Sequence, residues 1–237
     1  MKIIDPNIDS GRAFDWGRTS DDYAKYRDIY PKEFYKKIAD RNLCIEGQRV
    51  LDLGTGTGVL PRNMYEFGAK WTGIDISANQ IEKARELSAG MDIDYHAVSA
   101  EELDFEDHSF DVITACQSFF YFDHRRIVKK LYRLLKPGGC ILVLYMGWLP
   151  FEDRIAFESE KLVLKYNPKW TGAGGTRRPI DIPACYNDYF ELTYSELYDS
   201  YVHFTRESWH GRMKACRGIG ASLPEEEILK WEREHIE

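Results

Sequence analysis

Two kinds of hydrophobic pattern alternate along this chain. Short apolar runs bounded by turn residues stand at residues 50–53, 70–75, 93–98, 110–115 and 140–145. Runs of that length and content read as strands buried on both faces. Elsewhere apolar residues recur every three or four positions, which predicts helices over 31–40, 59–67, 78–88 and 125–135. Phe34, Tyr35 and Ile38 form the inward side of the first of these, and Ile127, Leu131 and Leu134 or Leu135 that of the last. Strand and helix in strict alternation imply an α/β fold.

The stop signals agree with these boundaries. Gly68 is placed to cap the helix before it, and Leu135-Lys136-Pro137-Gly138-Gly139 ends the helix before the fifth strand. Residues 1–20 read as loop. Thr19 or Ser20 is placed to cap a further helix over 20–27, with Asp21 and Asp22 in the first turn, where the helix dipole favours acids. Past Tyr145 the pattern changes to aromatics interrupted by Thr171-Gly172-Ala173-Gly174-Gly175-Thr176-Arg177-Arg178-Pro179. This reads as helices and a mobile loop, with a sixth strand over 197–204 and a charged amphipathic helix over 224–236.

Composition narrows the function. The 237 residues are 43 % hydrophobic, enough for a sizeable core, and the net charge of −7 disfavours a surface built to cover nucleic acid or an anionic membrane. A small-molecule ligand is the better expectation. Cys44, Cys116, Cys140, Cys185 and Cys216 are odd in number and never spaced as metal pairs, so no metal site is expected and the thiols read as reduced. The N-terminus lacks an apolar signal core and no apolar run reaches membrane-spanning length. A cytoplasmic protein is expected.

The candidate chemistry lies where the first strand ends. Val50-Leu51-Asp52-Leu53-Gly54-Thr55-Gly56-Thr57-Gly58 is a buried run that meets an acid and then three alternate glycines. Such a turn lets a ligand approach the backbone closely, with the N–H groups of the next helix pointing at it. A dinucleotide fingerprint would need glycine at position 59, which is Val59 here, so a nicotinamide-dependent oxidoreductase is disfavoured. Asp75 ends the second strand, roughly 20 residues beyond the glycines, where a carboxylate accepts hydrogen bonds from ribose hydroxyls; it is equally placed to cap the next helix.

The glycine turn, the acid after the second strand, Phe110-Asp111-Val112 and Leu135-Lys136-Pro137-Gly138-Gly139 together resemble the class I S-adenosylmethionine (SAM)-dependent methyltransferases, in the ubiquinone/menaquinone-type small-molecule branch (methyltransferase type 11). The resemblance covers residues 49–145. Residues 205–212 resemble trans-aconitate-methyltransferase-like proteins over a shorter stretch. The family implies a doubly wound, Rossmann-like, mostly parallel sheet with helices on both faces, under a helical aromatic cap. It divides the chain into an N-terminal helical lid (1–45), a SAM-binding core (46–146) and a cap segment with a C-terminal strand and helix (147–237). The family's usual seventh, antiparallel strand is not legible.

By the same resemblance, the cofactor contacts are Asp52, Gly54, Thr55, Gly56 and Gly58 of the turn, Asp75, Ile76 and Gln80 after the second strand, Ser99, Ala100 and Glu101 after the third, and Cys116 and Gln117 after the fourth. Ser99 replaces the acid that the family carries for adenine. Tyr23 and Arg27 are candidate lid contacts, Arg27 for the methionine carboxylate. Gln117 and Tyr121 are expected beside the transferable methyl, with His210 (or His203) a candidate base and Arg212, Arg177 or Arg178 candidates to orient an acceptor carboxylate. The implied activity is in-line methyl transfer from SAM to an oxygen, carbon or carboxylate of a small molecule, giving S-adenosylhomocysteine, by a monomer or homodimer. The alternative is a SAM-binding module without transfer.

Overall fold

The structure, a computed structural model, describes residues 2–237. In chain order its elements are α1 (Ser20–Tyr26), α2 (Lys32–Ala39), β1 (Arg49–Leu53), α3 (Val59–Met64), β2 (Lys70–Asp75), α4 (Ala78–Leu87), β3 (Ile93–Ala97), β4 (Phe110–Cys116), α5 (His124–Leu134), β5 (Leu135–Leu144), α6 (Arg154–Tyr166), α7 (Arg206–Lys214) and α8 (Glu225–Ile236). The strands make one parallel five-stranded sheet in the order β3-β2-β1-β4-β5. This is the expected Rossmann-like architecture.

Alternation along each strand sorts side chains onto two faces. Leu51, Leu53, Ile113 and Ala115 point to one face, where Ile127, Val128, Leu131 and Leu134 of α5 cover them. Val50, Trp71 and Val112 point to the other, against Phe34, Tyr35 and Ile38 of α2 and Leu60 and Met64 of α3. A regular β4–β5 ladder runs from Val112↔Cys140 to Cys116↔Leu144, while Leu135 pairs with Phe110 across a register shift. The Pro137-Gly138-Gly139 turn bulges out of the ladder there, with Gly138 at φ +83°. Strand pairing therefore begins before the predicted turn, and the regular strand begins after it.

The chain forms two compact units. One holds residues 30–146 and 179–200, the sheet among them. The expected 1–45 lid is thus divided: α2 packs in the sheet unit, while α1 belongs to the other. The second unit holds the chain up to Ile29, with Gly147–Arg178 and Tyr201–Glu237, built from α1, α6, α7 and α8. Its core packs Val163, Trp170, Met213, Ile228 and Trp231. Asp9, fully buried, accepts from Thr171 and is paired with Arg217 at 2.8 Å, so the N-terminal segment reads as loop only in lacking long elements.

The predicted strand over 197–204 is not formed. Lys37 on α2 pairs with Glu196 at 2.6 Å and lies 4.5 Å over the Tyr198 ring, and Arg41 hydrogen-bonds the Tyr194 hydroxyl. These contacts hold residues 194–198 against a helix, which offers their backbone no ladder partner. The aromatics of 147–200 also divide: Trp148, Tyr166 and Trp170 pack in the helical unit, and Tyr186, Tyr189 and Phe190 on the α5 face of the sheet unit.

Candidate functional site

The turn between β1 and α3 lies at the carboxyl ends of the strands, beside the point where the sheet order reverses: the connection from β1 leads to β2 on one side, and the chain returns from β3 to β4 on the other. Open α/β sheets bind ligands at such a point. Gly54, Gly56 and Gly58 have φ of +64°, +56° and +74°, a region that side chains resist. The turn is held from three directions. Thr55 donates its N–H to Ile74 O at 2.8 Å. On the β4 side a Cβ added at Gly54 would stand 2.5 Å from Ser118 Cβ, while Ser118 Oγ donates to Leu53 O at 2.5 Å. On the β3 side a Cβ at Gly58 would stand 2.2 Å from the Tyr95 hydroxyl.

Asp75 faces this turn from the end of β2. Its Oδ2 accepts the Gly56 N–H at 3.0 Å and its Oδ1 the Ser77 N–H at 2.8 Å. A carboxylate offers about four acceptor sites, so each oxygen keeps capacity for one more donor. The residue is half-buried. Burial pushes its pKa up to about 6, against the pull of the Ser77 and Gly56 N–H groups. Two adjacent hydroxyls match that donor-free, two-oxygen edge, so the residues present fit the ribose of the expected cofactor. Ser77, and not Asp75, caps α4, accepting the Gln80 N–H on its Oγ.

Asp52 lies beneath the turn, only 2 % exposed, and accepts the Thr114 hydroxyl at 2.6 Å. Burial lifts its pKa to about 6, the Thr114 bond opposes this, and the charge of Asp75 adds to it. Ile76 is half-buried and Gln80 buried on the first turn of α4. Ser99 precedes the short turn Ala100–Glu102 without capping it through its side chain, Ala100 is buried, and Glu101 Oε1 accepts the Asp123 N–H at 3.1 Å. Cys116 contacts the Tyr30 hydroxyl at 3.6 Å. Gln117 takes φ +66°, donates its N–H to Leu144 O at 2.9 Å and its Nε2 to Met146 O at 2.6 Å. A non-glycine held in that region marks a locally determined backbone. Tyr121 follows, half-buried, with its N–H on Ser118 O.

The remaining candidates belong to the helical unit. Arg27 lies 4.7 Å over the Tyr23 ring. His210 Nδ1 is 2.9 Å from His235 Nδ1, its ring is stacked on Trp231, and its Nε2 is 3.8 Å from Glu232. Burial lowers the His210 pKa, with Glu232 opposing. Arg212 is buried with its guanidinium 5.0 Å over the Trp148 ring, and the Trp148 indole donates to buried Glu160 at 2.6 Å. Arg177 is engaged by Glu152, while Arg178 is exposed.

Three residues around the glycine turn escape sequence reasoning: Thr114, Ser118 and Tyr95. A polar residue inside the fourth apolar run and a glycine inside the second strand, Gly73, are the traces they leave.

The profile of the Methyltransferase domain family matches residues 51–143. The chain is 30 % identical over 160 residues to a ubiquinone biosynthesis O-methyltransferase of Pseudomonas entomophila (strain L48), covering 66 % of this chain and 68 % of that one. To the protein of the same description from Neisseria meningitidis serogroup A / serotype 4A (strain DSM 15465 / Z2491) it is 31 % identical over 178 residues, covering 70 % and 74 %. Among solved structures, an S-adenosylmethionine-dependent methyltransferase from Mesorhizobium loti is 26 % identical with a TM-score of 0.42, covering 46 % of this chain and 50 % of that one.

Proposed function

We propose, from the premise that this chain belongs to the class I SAM-dependent methyltransferases of the ubiquinone type, that the methyl group it takes from SAM is delivered to an oxygen of its small-molecule acceptor. The enzyme class and the cofactor follow from the family; the acceptor atom is the inference, supported by relatives described as O-methyltransferases. The observation that carries the site is Asp75 bonded to Gly56 across the glycine turn.

When bound, the cofactor supplies a methyl group on a sulfonium that is already a good leaving group. The protein's part is then to bind and orient. Asp75 accepts the ribose hydroxyls while holding the turn through Gly56, with Ile76 and Gln80 beside it. Gly54, Thr55 and Gly58 keep the backbone low enough for close approach, and Asp52 supports them from beneath. Ser99, Ala100 and Glu101 border the adenine, and Cys116 and Gln117 the methionine side. Gln117 and Tyr121 place the acceptor. Tyr23, Arg27 and Arg212 belong to the helical unit, and the lid and orienting roles that the resemblance implies for them are to be tested by substitution. His210 is the candidate base for a hydroxyl acceptor, although its Nδ1 is engaged by His235.

No helix among the described residues is long and apolar enough to cross a membrane. We extend the proposal to a cytoplasmic enzyme, monomer or homodimer, acting on a small molecule; its five free thiols suit that compartment.

Calorimetric titration with S-adenosylhomocysteine tests the site. The unaltered chain should bind, and Asp75→Ala should lose about 1–3 kcal/mol, the value of hydrogen bonds to a charged acceptor. Equal binding by both would remove Asp75 from the pocket. Binding without methyl transfer to any hydroxylated acceptor would turn the reading toward a binding module.

A further inference from the structure

The glycine turn needs its shape maintained by something outside it, and one side chain stands where that could be done. Tyr95, on β3, is 3 % exposed. In the parallel ladder it pairs with Gly73 of β2, which in turn pairs with Asp52 of β1. A Cβ added at Gly73 would meet Tyr95 Cδ1 and Cε1 at 2.8 Å and Thr55 Oγ1 at 2.9 Å. The missing side chain at Gly73 therefore leaves the space through which the Tyr95 ring crosses β2 toward the turn after β1. Glycine inside a strand has this use where another group must approach closely.

The far end of the ring reaches Gly58, the residue that opens α3. A Cβ there would stand 2.2 Å from the Tyr95 hydroxyl and 3.0 Å from Cζ. The ring is itself fixed. Its hydroxyl hydrogen-bonds Ser88 Oγ at the end of α4, at 3.0 Å, and Ile81 and Ala84 of α4 pack beside it. Arg85 binds the Tyr95 carbonyl oxygen. Burial pushes the phenol's pKa up to about 12, so the hydroxyl stays neutral and available as donor and acceptor. One aromatic side chain thus ties β3 and α4 to a turn contributed by β1 and α3.

We propose that Tyr95 is a positioning residue for SAM: by wedging against Gly58 and through the gap at Gly73, it sets the height and direction of the glycine turn against Asp75. The proposal rests on the cofactor reading above. Tyr95 touches the turn and acts through it. Ordinary core packing would require the ring for stability alone; positioning requires that affinity fall in protein that is still folded.

The test compares Tyr95→Phe, Tyr95→Leu and, as a packing control from the same cluster, Ile81→Val, each by thermal melting and by calorimetric titration with S-adenosylhomocysteine well below its melt. Tyr95→Phe keeps the ring but removes the atom nearest Gly58 and the Ser88 bond. It should weaken binding by about three- to tenfold, the equivalent of one lost hydrogen bond. Tyr95→Leu should weaken binding further, by more than about tenfold, with Tyr95→Phe between it and the unaltered chain. Ile81→Val should lower the melting temperature with its dissociation constant unchanged. Unaltered affinity in both Tyr95 variants, or an equal loss in Ile81→Val, would overturn the positioning role while leaving the cofactor reading intact. Should Tyr95→Leu not fold, Tyr95→Phe against Ile81→Val decides. Failure of the unaltered chain to bind would withdraw the cofactor reading and this proposal with it.

Discussion

At the scale of single residues, the ribose contact proposed for Asp75 would couple ligand binding to pH. The pKa of Asp75 is pushed up to about 6 by burial, and that of Asp52 likewise, with the charge of Asp75 adding to the rise at Asp52. A carboxyl group raised in the folded state gives stability that is full below its unfolded pKa and is lost as pH rises through about 6. The ligand-free protein is therefore strained by ionising this pair at neutral pH, whereas ribose hydroxyls need the ionised form as acceptor. Affinity for S-adenosylhomocysteine should be flat above about pH 6.5 and fall by up to tenfold per unit below about 6. The rise in melting temperature caused by the ligand should accordingly be larger at pH 8 than at pH 5. Calorimetry and melts across that range check both, and affinity independent of pH down to 5 would mean that no group titrating near 6 accepts the ribose.

Asp75 and the glycines were legible because their chemistry is local: an acid at a strand end and left-handed backbone positions leave marks on adjacent residues. Thr114 and Ser118 were not. Their partners, Asp52 and Leu53, are 62 and 65 positions away, and only the β1–β4 register brings them together. Tyr95 was legible as a strand residue, but its reach across Gly73 depends on the order of three strands.

At the scale of elements, strand ends and helix pairs are held by charges whose roles the periodicity leaves open. Asp111 accepts the Arg49 N–H at 2.8 Å and pairs with Lys136 at 2.7 Å, locking the starts of β1, β4 and β5 together. Burial pulls its pKa upward, but the Arg49 N–H and the Lys136 ammonium outweigh this and hold it below the usual carboxylate range. In the helical unit α7 and α8 meet at His210 and His235, whose Nδ1 atoms are 2.9 Å apart, within hydrogen-bond reach of each other. Glu232, Lys214 and Asp22 flank His210, while Ser159 Oγ lies 3.2 Å from His235 Nε2.

Burial and the neighbouring histidine lower His235 from 6.5 to about 4. A histidine lowered on folding stabilises the native state above its unfolded pKa, and that contribution is lost as pH falls from 6.5 toward 4. His235→Phe keeps a ring to stack on Trp231 without a titrating group. The difference in urea stability between the unaltered chain and this variant should shrink or change sign between pH 7 and pH 4.5. A difference constant with pH would mean that the pair carries no acid sensitivity.

At the scale of the whole molecule, the sheet unit is completed by residues that the sequence assigns to a cap. Segment 179–200 belongs with residues 30–146, and its anchor is Tyr186, 4 % exposed. The Tyr186 ring lies 5.6 Å from Phe119 and 5.9 Å from Phe190, and its hydroxyl is 3.1 Å from His124 Nδ1. The aromatic richness of 147–200 is visible in the sequence, but its division between two cores is not, because both cores accept aromatic side chains and only topology chooses. If Tyr186 closes the α5 face, Tyr186→Ala should cost about 3–5 kcal/mol, the range for deleting a large buried aromatic. Tyr186→Phe, which loses only the hydroxyl's bond to His124, should cost about 1 kcal/mol. Urea titration followed by far-ultraviolet circular dichroism reads both. Because Tyr186 reaches the sheet through Phe119, which stands between Gln117 and Tyr121, a folded Tyr186→Phe chain should keep its affinity for S-adenosylhomocysteine. A loss of less than about 0.5 kcal/mol in Tyr186→Ala, the ordinary range for surface changes, would mean that residues 179–200 lie on a core already complete at Met146.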